Sequence, residues 1–322
     1  MDFQTLVDTS STGLRIEHDE GIMMLGSCFA EDVGDALRRS MLKLCINPFG
    51  TLYNPQSIAE ALRRLMADKP FDESELTRYG NLWHSMAHHS RFSSADKHKA
   101  LQKINDAYAE GVDALRTARH LVVTFGTAFV FTRNGAVVAN CHKMPTAEFQ
   151  RTRLSVDNIA ARWLPLVDDL RHFNPQLDIT FTVSPVRHLA DGAHGNQASK
   201  ATLLLAVDQV ISHHADCCHY FPSYELLLDQ LRDYRFYAAD MVHPSAVAVE
   251  YIAGRFKESC LSAKAREACR RCEKLYARLL HRPLTDDVEA IARFRQSTLA
   301  AADALTAELP YVGPIIDKLL KK

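Results

Sequence analysis

Two apolar rhythms alternate along this chain. Gly21 to Leu25 is a short continuous apolar run, and Phe29, Val33, Leu37 and Met41 then recur every fourth residue, which predicts a strand followed by a helix buried on one face over 29–41. Leu42 to Ile46 predicts a second strand, and 56–66 and 95–118 predict helices. His120 to Phe125 is an unbroken apolar strand of the kind covered on both faces of a parallel sheet. Phe129 to Thr132 and Ala136 to Asn140, joined by Asn134-Gly135, predict a hairpin with a two-residue turn. Helix is expected over Val156 to Phe173, strand over Leu177 to Val183, helix over 196–213 and a short strand at 219–221. Further helices are expected over 224–231 and 246–257, and two amphipathic helices over 261–280 and 285–308 form an appendage. Alternating strands and helices predict right-handed crossovers and an α/β fold with a parallel sheet. The stretch 68–94, with Trp83, His84, His88 and His89, breaks the rhythm and is expected to be an excursion over the crevice.

Composition removes several classes of function. The 322 residues are 47% hydrophobic and 24% charged, and 38 basic residues against 39 acidic ones leave a net charge of -1, so nothing draws the chain to nucleic acid or to an anionic membrane. Met1 to Leu14 lacks the basic start and apolar core of an export signal, and no apolar run is long enough to span a bilayer; a cytoplasmic protein is expected. The eight cysteines are then read as reduced thiols. Cys269/Cys272, the cluster of His213, His214, Cys217, Cys218 and His219, and the pair His84/His88 each lack the second ligand pair of a zinc site, so neither metal nor cofactor is expected.

The chemistry concentrates at two places. Gly26-Ser27-Cys28-Phe29-Ala30 reads as a strand delivering a serine hydroxyl to a helix N-terminus, where backbone N–H groups can stabilise an oxyanion. Serine at such a position also serves as a simple helix N-cap. Far down the chain, Asp240-Met241-Val242-His243-Pro244 holds a carboxylate and an imidazole three residues apart before a helix. Ser27, Asp240 and His243 are therefore expected to form a triad, with His243 taking the proton of Ser27 and Asp240 orienting the ring. Cys28 is the rival nucleophile next door but is expected to point into the core, Lys200 is read as a surface cation with a substrate contact as the alternative, and Tyr234, Phe236 and Tyr237 are expected to pack the Asp240–His243 loop down, with one ring stacking on a sugar as the alternative. Gly50 and Asn54 lie in a loop after the second strand, at the sheet edge where ligands bind.

The blocks Gly26 to Ala30, Asn47-Pro48-Phe49-Gly50, Ala139 to Lys143, Thr182 to His188, Ser199-Lys200, Tyr220 to Glu225, Leu231 to Tyr237 and Asp240 to Ser245 together resemble the GSCFA-domain family over about the first 260 residues. The resemblance divides the chain into a domain over 1–260 and helices over 261–322. It implies a branch of the SGNH hydrolases, hence a three-layer α/β/α sandwich with a central, mainly parallel sheet and a Ser-Asp-His triad that cleaves esters, often acetyl groups on carbohydrates. By that likeness Ser27 is the nucleophile, the backbone N–H groups of Ser27 and Gly50 hold the oxyanion, and Asp240 and His243 complete the triad. The sequence departs from the pattern at Gly126-Thr127-Ala128-Phe129, which has no asparagine; Thr127, His142, Arg187 and Asn54 are the alternatives for the missing donor or for substrate binding. The expected function is hydrolysis of an O-acetyl or short acyl ester of a carbohydrate-like molecule. An O-acyltransferase with the same triad and a non-catalytic carbohydrate or metabolite binder are the alternatives, and a homo-oligomer is left open.

Overall fold

The computed structural model describes residues 5–10 and 13–321. Its centre is a sheet of five parallel strands in the order β10-β9-β5-β1-β2: β1 (Gly21–Gly26), β2 (Lys43–Ile46), β5 (His120–Phe125), β9 (Asp178–Val183) and β10 (Cys218–Tyr220). Side-chain alternation along these strands feeds two separate cores. Met23 and Leu25 of β1 and Leu121, Val123 and Phe125 of β5 point to one face, whereas Ile22, Met24 and Val122 point to the other.

The first face is covered by α2 (Pro55–Met66), α3 (Lys97–Thr117), α4 (Val156–Phe173) and α5 (Gly192–His213), around the fully buried Trp163. The second is covered by α1 (Cys28–Arg38), α7 (Ala246–Cys260) and α8 (Ala263–Leu279), together with the one-turn α6 (Ser223–Glu225) and the π-helical turn Leu226–Leu231 that continues it. The expected three layers are present. Ala265 and Cys269 of α8 join the same core as α1 and α7, while Cys272 and Leu275 face a small third core with α9 (Val288–Glu308), α10 (Gly313–Leu320) and Met41. The helix α10 was not expected from the sequence.

The irregular stretch carries a two-stranded hairpin, β3 (Leu76–Tyr79) and β4 (Leu82–Ser85), and the expected hairpin β6 (Phe129–Arg133) and β7 (Ala136–Val138) gains a third strand, β8 (Gln150–Arg153). His88 does not cover a crevice. Its ring stacks on Phe49 at 4.8 Å and meets Phe71 edge-on, deep in the first core. No helix among the described residues is long and apolar enough to cross a membrane.

The chain leaves β1 for β2 on one side and leaves β5 for β9 on the other, so the direction of winding reverses between β1 and β5. The loops leaving the carboxyl ends of these strands diverge there and open a crevice.

Candidate active site

A cavity of about 580 Å³ occupies this crevice. Cys28 from the start of α1, Tyr53 and Asn54 from the loop after β2, Thr127 from just beyond β5, Val186 to Asp191 from beyond the end of β9, and Val242 and His243 all contribute to its wall, with Phe129, Phe131 and Val138 from the three-stranded sheet opposite.

The turn from β1 into α1 depends on Gly26. Its φ is +150°, and a Cβ there would stand 2.2 Å from the carbonyl oxygen of Thr124, so no other residue fits beside β5. Ser27 follows as the N-cap of α1 with extended backbone, but its side chain makes no capping hydrogen bond. Its N–H donates to the Thr124 carbonyl at 3.3 Å, and its Oγ is buried with no hydrogen-bond partner. Ser27 is 1% exposed and does not reach the cavity wall; Cys28, half-buried, does. Cys28 thus lies on the cavity side of α1 rather than pointing only into the core, contrary to the expectation. Burial first, and the carboxylate of Asp32 second, push its thiol up to about 11, while the first-turn N–H groups of Phe29 and Cys28 and the Lys200 ammonium favour its anion.

Asp240 and His243 meet as the sequence predicts. The Nδ1–H of His243 donates to Asp240 Oδ2 at 2.7 Å, and Asp240 Oδ1 accepts the backbone N–H of Val242 at 2.9 Å and of His243 at 3.0 Å. Those backbone donors, His243 before Val242, and then the ring hold the Asp240 carboxyl down at about 2. The loop owes its shape to its own backbone: Ala238 N–H donates to the His243 carbonyl at 2.7 Å, Ser245 N–H to the Phe236 carbonyl at 2.7 Å, and Met241 adopts a φ of +58°. Ser245 caps α7, and the Arg187 N–H ties the loop to the end of β9 through the Val242 carbonyl at 3.2 Å. Ring Nε2 of His243 is left facing outward from the dyad, and Ser27 Oγ is not hydrogen-bonded to it.

The other expected donors divide sharply. Gly50 has φ +76° and its N–H closes a turn onto the Asn47 carbonyl at 2.7 Å; it is outside the cavity and has no proton to offer an oxyanion. The Ser27 N–H is likewise already used. Asn54 lines the cavity, but its Oδ1 caps α2 by accepting the Ser57 N–H at 2.8 Å and its Nδ2 donates to Ser57 Oγ at 3.0 Å. His142 is structural: its Nε2 bonds the Ser85 carbonyl at 2.8 Å, its ring lies 4.5 Å from that of His84, and burial holds its pKa down at about 4. Thr127 lines the cavity with a hydroxyl that accepts the Phe129 N–H at 3.1 Å and pairs with Ser199 Oγ at 3.2 Å. Arg187 also lines it; no described carboxylate pairs with its guanidinium, and its buried Nε has no partner.

Three features escaped the sequence reading. Lys200 is not a surface cation: it is 1% exposed, and its Nζ donates to the carbonyls of Gly126 and Ser184 at 2.6 Å each, bracing the carboxyl ends of β5 and β9. His188 lies in the cavity wall, with its pKa pushed down to about 4 by burial and then by Lys200, and an unpartnered Nε2. Arg151 projects from β8 over the Phe129 ring at 4.0 Å and pairs with Asp191, closing the far wall. The position of Lys200 next to Ser199, whose small side chain packs under Thr127, is the one local hint that this helix face is turned inward.

Two solved structures align with this chain at low similarity. One, described as a candidate platelet activating factor from Streptococcus pneumonia, aligns at 10% identity over 74% of this chain and 83% of its own, with a TM-score of 0.39. The other, an acetyl xylan esterase from the rumen bacterium Butyrivibrio proteoclasticus, aligns at 10% identity over 78% of this chain and 61% of its own, with a TM-score of 0.31. No curated protein matches the sequence. The GSCFA family model matches residues 21–256, a span that runs from the first residue of β1 through the Asp240–His243 loop into α7, and the chain belongs to the GSCFA family.

Proposed function

We propose that this chain is an acyl-ester hydrolase that works through a covalent acyl-enzyme. The observation that carries the reading is the His243–Asp240 pair at the cavity. A carboxylate that stays ionised down to about pH 2 holds the ring by Nδ1, which fixes the tautomer with Nε2 able to accept a proton. Such a ring removes the proton of a nucleophile, then returns it to the leaving alcohol. The N-terminal turn of α1 supplies the nucleophile, and its first N–H groups, unpaired within a helix, are placed to receive the oxyanion. The apolar part of the cavity wall, with Phe129, Phe131, Val138 and Val186, suits a short acyl group. Arg187 and the open side toward His243 suit a polar alcohol, consistent with an O-acetylated carbohydrate-like substrate.

Release of nitrophenol from an aryl acetate tests the reading. Wild-type protein is expected to turn it over, His243→Ala to lose nearly all activity, and Asp240→Asn to lose about 10⁴-fold, as loss of the orienting carboxylate does in serine proteases. Wild type without turnover, or His243→Ala with undiminished turnover, overturns it. Acyl transfer to an added sugar in preference to water would redirect the same chemistry to an O-acyltransferase.

A further inference from the structure

We infer that the nucleophile of this site is the thiol of Cys28 and not the hydroxyl of Ser27, an inference that rests on the acyl-transfer reading and sharpens it. Cys28 and His243 line the cavity together, and together they line the hollow on its outer side, where Asp32 and Pro244 join them. Ser27 lines neither. Its hydroxyl is sealed from solvent, and its main chain is fixed on both sides by the bonds from its N–H to Thr124 and from the Ala30 N–H to its carbonyl. A hydroxyl sealed from solvent and bonded to no base is poorly placed to attack; a thiol one residue on, sharing two surfaces with the imidazole, is better placed.

The sequence periodicity of α1 agrees. Phe29, Val33 and Leu37 are the buried stripe, whereas Cys28, Asp32, Asp35 and Arg39 recur on the other side and all line the outer hollow. The backbone N–H groups of Phe29 and Cys28 lie against the sulfur, and the Lys200 ammonium favours its anion. Burial and Asp32 outweigh them, so at neutral pH the sulfur carries its proton. The thiol therefore needs a base during attack rather than a preformed ion pair, and His243 supplies it.

In the first half-reaction Sγ attacks the acyl carbonyl carbon while the S–H proton passes to His243 Nε2. The tetrahedral oxyanion collapses, the ester C–O bond breaks, and the alkoxide leaves with the proton from His243 as the free alcohol. In the second half-reaction His243 deprotonates a water that attacks the thioester, the C–S bond breaks, and the thiolate recovers the proton. One ester and one water give one acid and one alcohol.

The test is residue-resolved mass spectrometry of protein acid-quenched during turnover of an aryl acetate, with and without neutral hydroxylamine, which cleaves a thioester and spares an oxygen ester. Acetyl on the peptide containing Cys28, assigned by fragmentation to residue 28 and removed by hydroxylamine, is the expected result; in Ser27→Ala the adduct stays on Cys28. Turnover is expected to fall about 10³-fold or more in Cys28→Ala; Cys28→Ser, nearly isosteric, guards against a folding defect. Acetyl on Ser27 or on Cys141, the other cavity cysteine, or a Cys28→Ala variant that turns over normally while His243→Ala is dead, overturns the thiol and leaves the hydrolase reading standing. Wild type without any turnover removes both.

Discussion

Replacing Lys200 by Met removes a brace and a buried charge at once, and the two effects separate by their pH dependence. Met fills a similar volume but leaves the carbonyls of Gly126 and Ser184, both bonded by Nζ at 2.6 Å, without their donor. A buried acceptor stripped of its partner costs about 1–3 kcal/mol, so the pair costs about 2–6 kcal/mol. Against this stands relief from burying an ammonium. Burial first, and Arg187 second, hold the lysine's pKa down from 10.5 to about 7. With the native value below the unfolded one, the unfolded chain binds the extra proton between the two, and the lysine's contribution to stability grows as pH rises through that window. At about 1.4 kcal/mol per unit, wild type gains about 2 kcal/mol on the variant between pH 7 and pH 9. By pH 9 the remaining relief is about 2 kcal/mol, and Lys200→Met is expected to be the less stable protein by about 2 kcal/mol. Urea unfolding followed by circular dichroism at pH 7, 8 and 9 measures the difference. A gap that stays constant would refute the lowered pKa, and a variant more stable than wild type at pH 9 would refute the brace.

Three other perturbations probe other parts of the molecule. Gly26→Ala puts a Cβ 2.2 Å from the Thr124 carbonyl oxygen at φ +150° and is expected to yield insoluble protein or a large drop in melting temperature; a variant that melts like wild type would show that β1 and β5 shift apart freely. His88, buried against Phe49 and Phe71, has its pKa pushed down to about 3 by burial, so the native state resists protonation and stability falls as pH drops below about 6.5, by about 3 kcal/mol from this group by pH 4. His88→Phe should flatten that acid limb in unfolding experiments, and an unchanged limb would assign it elsewhere. Arg187→Ala is expected to lower kcat/KM about tenfold more for an aryl ester carrying a carboxylate than for a neutral one; an unchanged ratio would leave Arg187 with only its loop to hold.

The fold was legible because its signals are local and redundant. β5 reads as a buried strand because all six residues are apolar or can bond at a strand end, and α4 spans the expected Val156–Phe173, with Ser155 as its N-cap and Asn174 as its C-cap. What was missed had no periodicity to show. β8, Gln-Arg-Thr-Arg, is exposed along its length and exists only because β6 offers an edge. The histidines at 84, 88 and 142 look like ligands in a list of residues, yet each is placed by ring packing or by hydrogen bonds to Ser93, Ser85 and the Ser85 carbonyl.

At the site the sequence could name residues but not the direction in which they point or the bonds they have already made. Asp240 and His243 were recoverable because three residues of loop suffice to bring carboxylate and imidazole together. Gly50 and Asn54 lie at the expected edge of the sheet, but the Gly50 N–H closes a turn onto the Asn47 carbonyl, and the Asn54 amide is turned toward Ser57, its Oδ1 accepting the backbone N–H and its Nδ2 donating to the hydroxyl. Ser27 and Cys28 are adjacent in sequence, but Ser27 is the extended N-cap and Cys28 the first residue of α1, so the backbone changes course between them; Ser27 is sealed in and Cys28 lines the cavity. The phase that decides between them is written further along α1. Because Cys28 shares its side of the helix with Asp32, Asp35 and Arg39 while Phe29 shares the other with Val33 and Leu37, the residue presented to His243 is set by where the apolar stripe begins, and that stripe begins at residue 29.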